Sequence, residues 1–268
     1  MSRIETRFKQ RAEEKRTLLI PYFTAGDPNP AAAVPMMHAM VQAGADLIEL
    51  GVPFSDPMAE GPVIQKAMER ALMHDVSLRD VLDTVKEFRR EDTETPVILM
   101  GYLNPVEIMG YAEFARAASE AGVDGLLTVD IPPEEAEDYV RELKAQGIDR
   151  VFLISPTTTD ERIRTINAAS VGFLYYVSLK GVTGAGNLDI NAVQDRVSNI
   201  RALTDLPVGV GFGIKDAESA AQIGSVADAV VVGSAVVKCI EENLDNTDNA
   251  IKAVSELLSS MRQALDKE

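Results

Sequence analysis

Eight short apolar runs, separated by stretches of helical period, constrain the fold of this chain more than any other feature. The runs lie at residues 17–23, 45–52, 96–102, 124–130, 150–155, 171–178, 207–213 and 228–234. Each is too short for a buried helix and rich in Val, Leu and Ile, as expected of a parallel strand covered on both faces. The intervening stretches, such as 107–122 and 133–147, end in glycine, a common helix stop.

Eight strands alternating with helices over roughly 250 residues is the pattern of a (βα)8 barrel. The sequence therefore predicts an α/β fold, a single TIM-barrel domain over residues 1–268 with no linker. We expect an amphipathic helix at its N-terminus and a closing helix at 243–266. A doubly wound sheet is a less favoured alternative, because such sheets usually have fewer strands and a topological switch.

Composition narrows the classes of function. No uncharged apolar run approaches the length of a membrane span, and the first residues are too charged for a signal peptide. A single cysteine, Cys239, excludes an internal disulfide and suggests a reducing, cytoplasmic setting. The net charge of −16 argues against nucleic acid or anionic membrane partners.

Glycines at the ends of the last strands indicate a phosphate site. In a barrel, function lies where strands end, and Gly211-Phe212-Gly213 and Gly233-Ser234 follow the last two predicted strands. Their backbone N–H groups can meet one anion, and 183–186 is a third candidate that can act as a lid. The alternative is that these glycines only make tight turns. A dinucleotide fingerprint is incomplete here, because Ile214 stands where glycine is needed.

Other chemistries find little support in the residues. His38, His74 and Cys239 form no metal set of familiar spacing, and no G-x-S-x-G occurs for a serine hydrolase. Lys180 lies in a polar loop, where nothing lowers the pKa of its amine for Schiff-base formation.

Two carboxylates remain as candidates for acid–base chemistry. Glu49 lies inside the apolar stretch "LIELGV", where desolvation favours the protonated form and suits an acid–base catalyst near neutral pH. The alternative for Glu49 is a buried ion pair, for example with Lys180. Asp56 and Glu60 follow on a proline-rich loop. Asp56 can equally be a turn residue before Pro57, and Glu60 can be the cap or first turn of the next helix.

These residues together resemble a known family. "IPYFTAGDP", "ADLIELGVPFSDPMAEGPVIQ", "MGYLNP", "VDIPPEE", "VSLKGVTGAG", "GFGI" and "VGSAVV" are similar, in order and spacing, to the α subunit of tryptophan synthase over nearly the whole chain. The resemblance implies retro-aldol cleavage of indole-3-glycerol phosphate to indole and glyceraldehyde 3-phosphate. It also implies a β subunit partner in an α2β2 complex, with pyridoxal phosphate in that partner and no cofactor in this chain.

Carried over by position, the resemblance assigns roles to individual residues. It makes Glu49 the acid–base group and Glu60 the anchor of the indole N–H, although the family pattern has aspartate at that position. The remaining matches are substrate-wall residues Tyr22, Met100, Leu127, Leu153, Tyr175 and Thr183, phosphate binders Gly184, Gly213, Gly233 and Ser234, and interface residues Pro53, Asp56, Pro57, Asn104 and Pro132.

Two other functions stay open at this point. One is a different phosphate-binding barrel enzyme, such as a sugar-phosphate isomerase, although that leaves the proline-rich loops unexplained. The other is a catalytically weak barrel that mainly binds and activates a β subunit, which the glutamate at position 60 makes conceivable.

Overall fold

The eight apolar runs form parallel strands in the computed structural model, which describes residues 1–178, 190–211 and 213–267. These strands are β1 (Leu18–Thr24), β2 (Ile48–Gly51), β3 (Val97–Gly101), β4 (Gly125–Thr128), β5 (Asp149–Arg150), β6 (Leu153–Ile154), β7 (Leu174–Val177), β8 (Val208–Gly211) and β9 (Ala229–Val232). Their order in the sheet is β5-β4-β3-β2-β1-β9-β8-β7-β6.

The sheet closes into a ring because β5 and β6 are consecutive pieces of one run. Only Val151 and Phe152 separate them along the chain. The Val151 N–H donates to the Leu126 carbonyl at 2.9 Å, and the Tyr175 N–H donates to the Phe152 carbonyl at 3.2 Å. The run that was predicted as a fifth strand therefore pairs with β4 at its start and with β7 at its end. This closure confirms the predicted TIM barrel and excludes the doubly wound sheet.

Helices surround the ring. They are α1 (Arg3–Glu13), α2 (Ala33–Gln42), α3 (Pro62–Leu72), α4 (Leu78–Phe88), α5 (Leu103–Met109), α6 (Tyr111–Ala121), α7 (Glu137–Ala145), α8 (Asp160–Ala169), α9 (Ile190–Arg201), α10 (Ala217–Gly224), α11 (Ser234–Glu241) and α12 (Thr247–Leu265). The predicted N-terminal helix is α1, and the predicted closing helix is α12, which packs on α2, α10 and α11. The helix expected over 107–122 is interrupted at Gly110, whose φ of 87° ends α5 before α6 begins.

Alternation along the strands divides the apolar side chains into two cores. Leu19 and Phe23 of β1 belong to the outer core between strands and helices, whereas Leu18 and Ile20 belong to the core inside the ring. That inner core also contains Ile4 and Phe8 of α1, so this helix closes the N-terminal end of the barrel. The functional end must therefore be the opposite one, where the strands finish.

Aspartates tie the N-terminal ends of the strands together. Asp124, two residues after Gly122 and just before β4, accepts the Val97 N–H at the start of β3 at 2.8 Å. Its carboxylate also pairs with Arg89 at 2.7 Å and with Arg3 at 2.8 Å. The same arrangement recurs at Asp46 with Leu19 and Arg11, and at Asp228 with Val208 and Arg201.

Removing the Asp124 carboxylate should destabilise the barrel strongly. Asp124→Ala leaves the nearly buried Arg89 guanidinium without its charge partner and the buried Val97 N–H without an acceptor. Breaking a buried pair from one side costs about 3–5 kcal/mol. Denaturant unfolding followed by circular dichroism measures this loss. Glu113→Ala, which removes an exposed pair with Arg116, is the control and should leave the unfolding free energy nearly unchanged. Equal effects of the two variants would contradict the role of Asp124.

Candidate active site

Glu49 lies buried on the inner face of the barrel. It is the second residue of β2, opposite Tyr22 of β1 and Ile98 of β3, and is 1% exposed. Its Oε1 atom has no hydrogen-bond partner, and no described cation forms an ion pair with it. The alternative of a buried ion pair thus finds no partner among the described residues, and Lys180 lies outside them. A carboxyl group in this setting strongly favours its neutral form.

Burial raises the pKa of Glu49 to about 8, with a further contribution from the negative charge of Glu60. Burial likewise raises the pKa of Glu60 to about 7. The two groups therefore titrate as an interacting pair around neutral pH. Groups with pKa values near the working pH are the most effective at donating and accepting protons.

Glu60 lies on the loop between β2 and α3, just outside the helix. Gly61 is the N-cap of α3 and Pro62 its first residue, so Glu60 is neither cap nor first turn. Its backbone is held on both sides, because its N–H donates to the Pro57 carbonyl at 3.1 Å and its carbonyl accepts the Gln65 side-chain N–H at 2.8 Å. The half-buried side chain forms no hydrogen bond with a described residue.

The rest of this loop is fastened to the end of β3. The Ala59 N–H donates to the Tyr102 hydroxyl at 2.9 Å, and the Phe54 ring stacks on the Tyr102 ring with centroids 5.0 Å apart. Pro53 is buried, whereas Asp56 is exposed and accepts from the Ser55 hydroxyl at 2.6 Å, consistent with a turn residue. Tyr102 was not predicted from the sequence, since an aromatic residue after a strand carries no distinctive signal.

The predicted substrate-wall residues come together inside the barrel. Leu127 belongs to the inner core, and Met100, Leu153 and Tyr175 pack against that core. Tyr22 belongs to the adjoining cluster, and Met100 contacts both. Thr183 lies outside the described residues. The described wall residues thus border one region, which Glu49 also faces.

Two tyrosines depend on glycines of the neighbouring strands. A Cβ added to Gly51 would lie 2.3 Å from the Tyr22 hydroxyl, and one added to Gly211 would lie 2.4 Å from the Tyr175 hydroxyl. These glycines make room for the rings, and burial raises the pKa of both phenols well above the ordinary value. Gly211 therefore has a packing role beside its predicted phosphate role. A glycine two residues after Glu49, on the same strand face, is the signal that locates the Tyr22 contact.

The predicted phosphate loops contain an uncapped helix terminus. Gly233 is the N-cap of α11 and offers no side chain to its first N–H groups, and exposed Ser234 is the first helical residue. Such a terminus favours an anion. Gly213 is exposed, with a φ of 79° that suits glycine. Helix α10, which follows Gly213 along the chain, is already capped by the side chain of Asp216. Gly184 and Phe212 lie outside the described residues.

The predicted interface residues lie on neighbouring loops of the same end. Asn104 is exposed on α5, Pro132 is exposed after β4, and Pro57 is half-buried. Two large apolar side chains beside them are strongly exposed, Met58 at 81% and Ile108 at 82%.

Within 1–178, 190–211 and 213–267, no helix combines the length and hydropathy of a membrane span. In the same ranges, no group of three or more His, Cys, Asp or Glu side chains is arranged to hold a metal ion.

Comparison with known proteins agrees with this geometry. The family model for the tryptophan synthase alpha chain matches residues 8–266. The chain belongs to this family. The tryptophan synthase alpha chain of Thioalkalivibrio sulfidiphilus is 63% identical over 99% of this chain and 100% of its own length. The alpha chain of Nitrosococcus oceani is 62% identical over 99% and 98%, respectively.

Solved structures of alpha chains share the fold. The tryptophan synthase subunit alpha of Legionella pneumophila superposes with a TM-score of 0.94, at 48% identity and with 100% of both chains covered. A chain of tryptophan synthase from M. tuberculosis, in an aminoacrylate-bound form, gives a TM-score of 0.88 at 35% identity over 99% of this chain and 100% of its own. The expected activity is thereby confirmed: the chain is a lyase of tryptophan biosynthesis that cleaves indole-3-glycerol phosphate. The isomerase and the binding-only alternatives gain no support.

The raised pKa of Glu49 predicts a specific pH dependence of the alpha chain's stability. The folded chain retains a proton up to about pH 8 that the unfolded chain loses near 4.5, so this group's contribution to stability is largest below pH 4.5 and is lost as pH rises through 8. Glu49→Gln has no carboxyl at this position, so its stability should not decrease with pH for this reason. Relative to wild type, its unfolding free energy should increase by more than about 1 kcal/mol between about pH 5 and about pH 9.

Urea unfolding across this pH range measures the difference. Glu135→Gln, at an exposed glutamate, is the matched control and should follow the wild type at every pH. If Glu49→Gln also ran parallel to the wild type, Glu49 would be charged in the folded chain and its assignment as a neutral acid would fail.

Proposed function

We propose that Glu49 is the group that moves protons in the cleavage of indole-3-glycerol phosphate. One observation carries the proposal: a buried carboxyl without a described partner, with a pKa of about 8, at the mouth of the barrel. A group held on a strand is placed more rigidly than one on a loop, and proton transfer requires such placement.

The reaction needs two proton transfers around one carbon–carbon bond. A proton is first added to indole C3, which converts the ring to its iminium form. The hydroxyl on the adjacent side-chain carbon then loses its proton, that carbon becomes the aldehyde of glyceraldehyde 3-phosphate, and the electron pair of the broken bond restores the aromatic indole. In this scheme neutral Glu49 supplies the first proton and ionised Glu49 takes up the second, so the enzyme ends in its starting state.

Glu60 is proposed to hold the indole N–H and to offset the positive charge of the iminium form. Its carboxyl has no described hydrogen-bond partner, and its backbone is fixed by Pro57 and Gln65. Glutamate is one methylene longer than the aspartate of the family pattern. Because these contacts fix the backbone at position 60, only the side chain can accommodate the extra methylene. A pocket wall that contains Tyr22 is compatible with this longer side chain.

The surrounding residues supply binding. The indole ring is proposed to contact Tyr22, Met100, Leu127, Leu153 and Tyr175, with Thr183 in the lid. The phosphate is proposed to meet Gly184, Gly211, Phe212, Gly213, Gly233 and Ser234. The uncapped start of α11 supports this assignment, because neutral N–H groups capture an anion without a positive side chain.

A β subunit is proposed as the partner, in an α2β2 complex in the cytoplasm, with pyridoxal phosphate held by that partner and residues 1–268 acting as one domain. Exposed Met58 and Ile108 support a contact surface at the barrel mouth, because large apolar side chains beside polar loops are typical of protein interfaces. The proposed contacts are Pro53, Asp56, Pro57, Asn104 and Pro132.

Substitution of the two carboxyls tests the proposal. Glu49→Gln should lose about 10²-fold or more of the cleavage rate, because the amide moves no proton. Glu60→Gln should lose at least about 10-fold, because a neutral amide cannot offset the cationic ring. Glu60→Asp should remain within about 10-fold of wild type, because the charge is retained. Steady-state assays with indole-3-glycerol phosphate, with and without a β subunit, measure these rates.

The outcomes separate the possible roles. Activity of Glu49→Gln above about a tenth of wild type would reject Glu49 as the acid–base group. A fully active Glu60→Gln would show that charge at position 60 is irrelevant. An inactive wild type that Glu60→Asp switches on would mean that this chain mainly binds its partner.

A charge placed at Gly213 tests the phosphate site. Gly213→Asp puts a carboxylate where N–H groups should meet an anion, and Gly213→Ala is the matched control for backbone strain at the φ of 79°. Calorimetric binding of glycerol phosphate should weaken at least about 10-fold more in the aspartate variant than in the alanine variant, because only aspartate adds repulsion. Equal losses in both variants would mean that Gly213 serves the turn alone.

A further inference from the structure

The loop that carries Glu60 is attached to the rest of the barrel at its end nearest that residue. Residues 53–60 form no helix or strand, and among the described residues only Tyr102 and Gln65 form hydrogen bonds with this loop from outside it. The Tyr102 hydroxyl accepts the Ala59 N–H at 2.9 Å, and the Gln65 side chain donates to the Glu60 carbonyl at 2.8 Å. Outside support is therefore concentrated on two consecutive residues, one of which is Glu60.

The exposed part of the same loop has weaker outside support. The Ser55 hydroxyl donates to the Asp56 carboxylate at 2.6 Å, and the Met58 N–H donates to the Asp56 carbonyl at 2.8 Å, so these bonds stay within the loop. The outside contact of this part is a long one, 3.4 Å from the Gln65 side-chain nitrogen to the Pro57 carbonyl. Contacts that served only to attach the loop would be expected along its whole length. Those observed lie at the residue of the proposed chemistry.

Tyr102 connects this part of the loop to the strand pair that carries Glu49. It follows β3 directly, and β3 pairs with β2 in parallel register. The pairing extends beyond β2, because the Val52 N–H donates to the Met100 carbonyl at 2.8 Å. A continuous series of backbone and side-chain hydrogen bonds thus leads from the strand of Glu49, through Tyr102 and the Ala59 N–H, to the backbone of Glu60.

Both outside side chains are themselves well anchored. Tyr102 is 2% exposed, and its ring stacks on the Phe54 ring with centroids 5.0 Å apart. Gln65 belongs to α3, which packs on β1 and α11. The two hydrogen bonds therefore transmit the rigidity of a strand and of a packed helix to the loop.

We propose that Tyr102 and Gln65 are positioning residues that fix the Glu60 carboxyl relative to Glu49. The proposal rests on the function proposed above, because it concerns how the same two carboxyls are placed. Glutamate has one more rotatable bond than aspartate, so its carboxyl would spread over a wide region if the backbone at position 60 also moved. With that backbone held, only the side-chain torsions adjust to the substrate. Catalytic groups need placement within about 0.5 Å, and a supporting shell of this kind supplies it.

Removal of single polar groups tests the proposal. Tyr102→Phe keeps the ring and its stacking but removes the acceptor of the Ala59 N–H. The kcat of cleavage should fall about 10-fold, because a displaced Glu60 carboxyl offsets less of the cationic charge on the indole ring. Gln65→Met keeps the side-chain length but donates no hydrogen bond, and it should lower kcat in the same direction. Calorimetric affinity for glycerol phosphate should stay within about 2-fold in both variants, which also verifies that they are folded.

Two further measurements show whether Tyr102 acts through Glu60. In a Glu60→Gln background no charge remains to be placed, so adding Tyr102→Phe should lower kcat by less than about 2-fold. A merely structural role would give the same loss in both backgrounds. Hydrogen exchange of the Ala59 amide, followed by NMR, should become about 10-fold faster in Tyr102→Phe, because its acceptor is gone.

Tyr139→Phe is the matched control. The Tyr139 and Thr128 hydroxyls lie 2.7 Å apart, and neither contacts residues 53–60 through a hydrogen bond, so kcat and Ala59 exchange should match the wild type. An unchanged kcat in Tyr102→Phe or in Gln65→Met, an unchanged Ala59 exchange rate in Tyr102→Phe, an equal loss in Tyr139→Phe, or the same loss in both position-60 backgrounds would each overturn the proposal. Failure of the proposed function looks different, since Glu60→Gln alone would then be fully active.

Discussion

The carboxyl of Glu49 is the constraint around which the barrel mouth is organised. An acid with 1% exposure and no described partner is costly when charged, and the burial of Glu49 within β2 keeps the group mostly protonated. The strand is held between β1 and β3 in parallel register, which fixes the backbone that carries this carboxyl. Its proton affinity is therefore a product of the fold rather than of any one neighbour.

Glycines convert this rigid end of the barrel into a site. Gly51 and Gly211 stand on strands where side chains would fill the interior, and the space they leave is taken by the hydroxyl ends of Tyr22 and Tyr175. Polar atoms from the strands thus reach a region that aliphatic residues would otherwise close. The loops contribute the other residues of this end, including Glu60 and the exposed Met58.

The strand pattern and the unusual place of Glu49 could be predicted from the sequence because each leaves a local signal, whereas the wall residues and the role of Glu60 followed only from the family resemblance. Apolar runs of strand length predict the barrel, and Glu49 stands out as an acid within one. The division of the fifth run was not predictable, since its two pieces pair with different neighbours. Nor was the position of the Tyr22 hydroxyl, which depends on the space above Gly51. The break at Gly110 is a case in which one glycine outweighs a helical period.

Buried carboxyl groups have different surroundings at the two ends of the barrel. At the N-terminal end, Asp46, Asp124 and Asp228 each accept a strand N–H and pair with arginine, so these carboxylates are satisfied and serve stability. At the C-terminal end, Glu49 and Glu60 lie without a described cation. Burial raises the cost of ionising both groups, and the charge of Glu60 raises that of Glu49 further. In a chain of net charge −16, this difference in pairing, and not acidity itself, separates structural carboxylates from chemical ones. The stability secured at the paired end is what allows the unpaired end to persist.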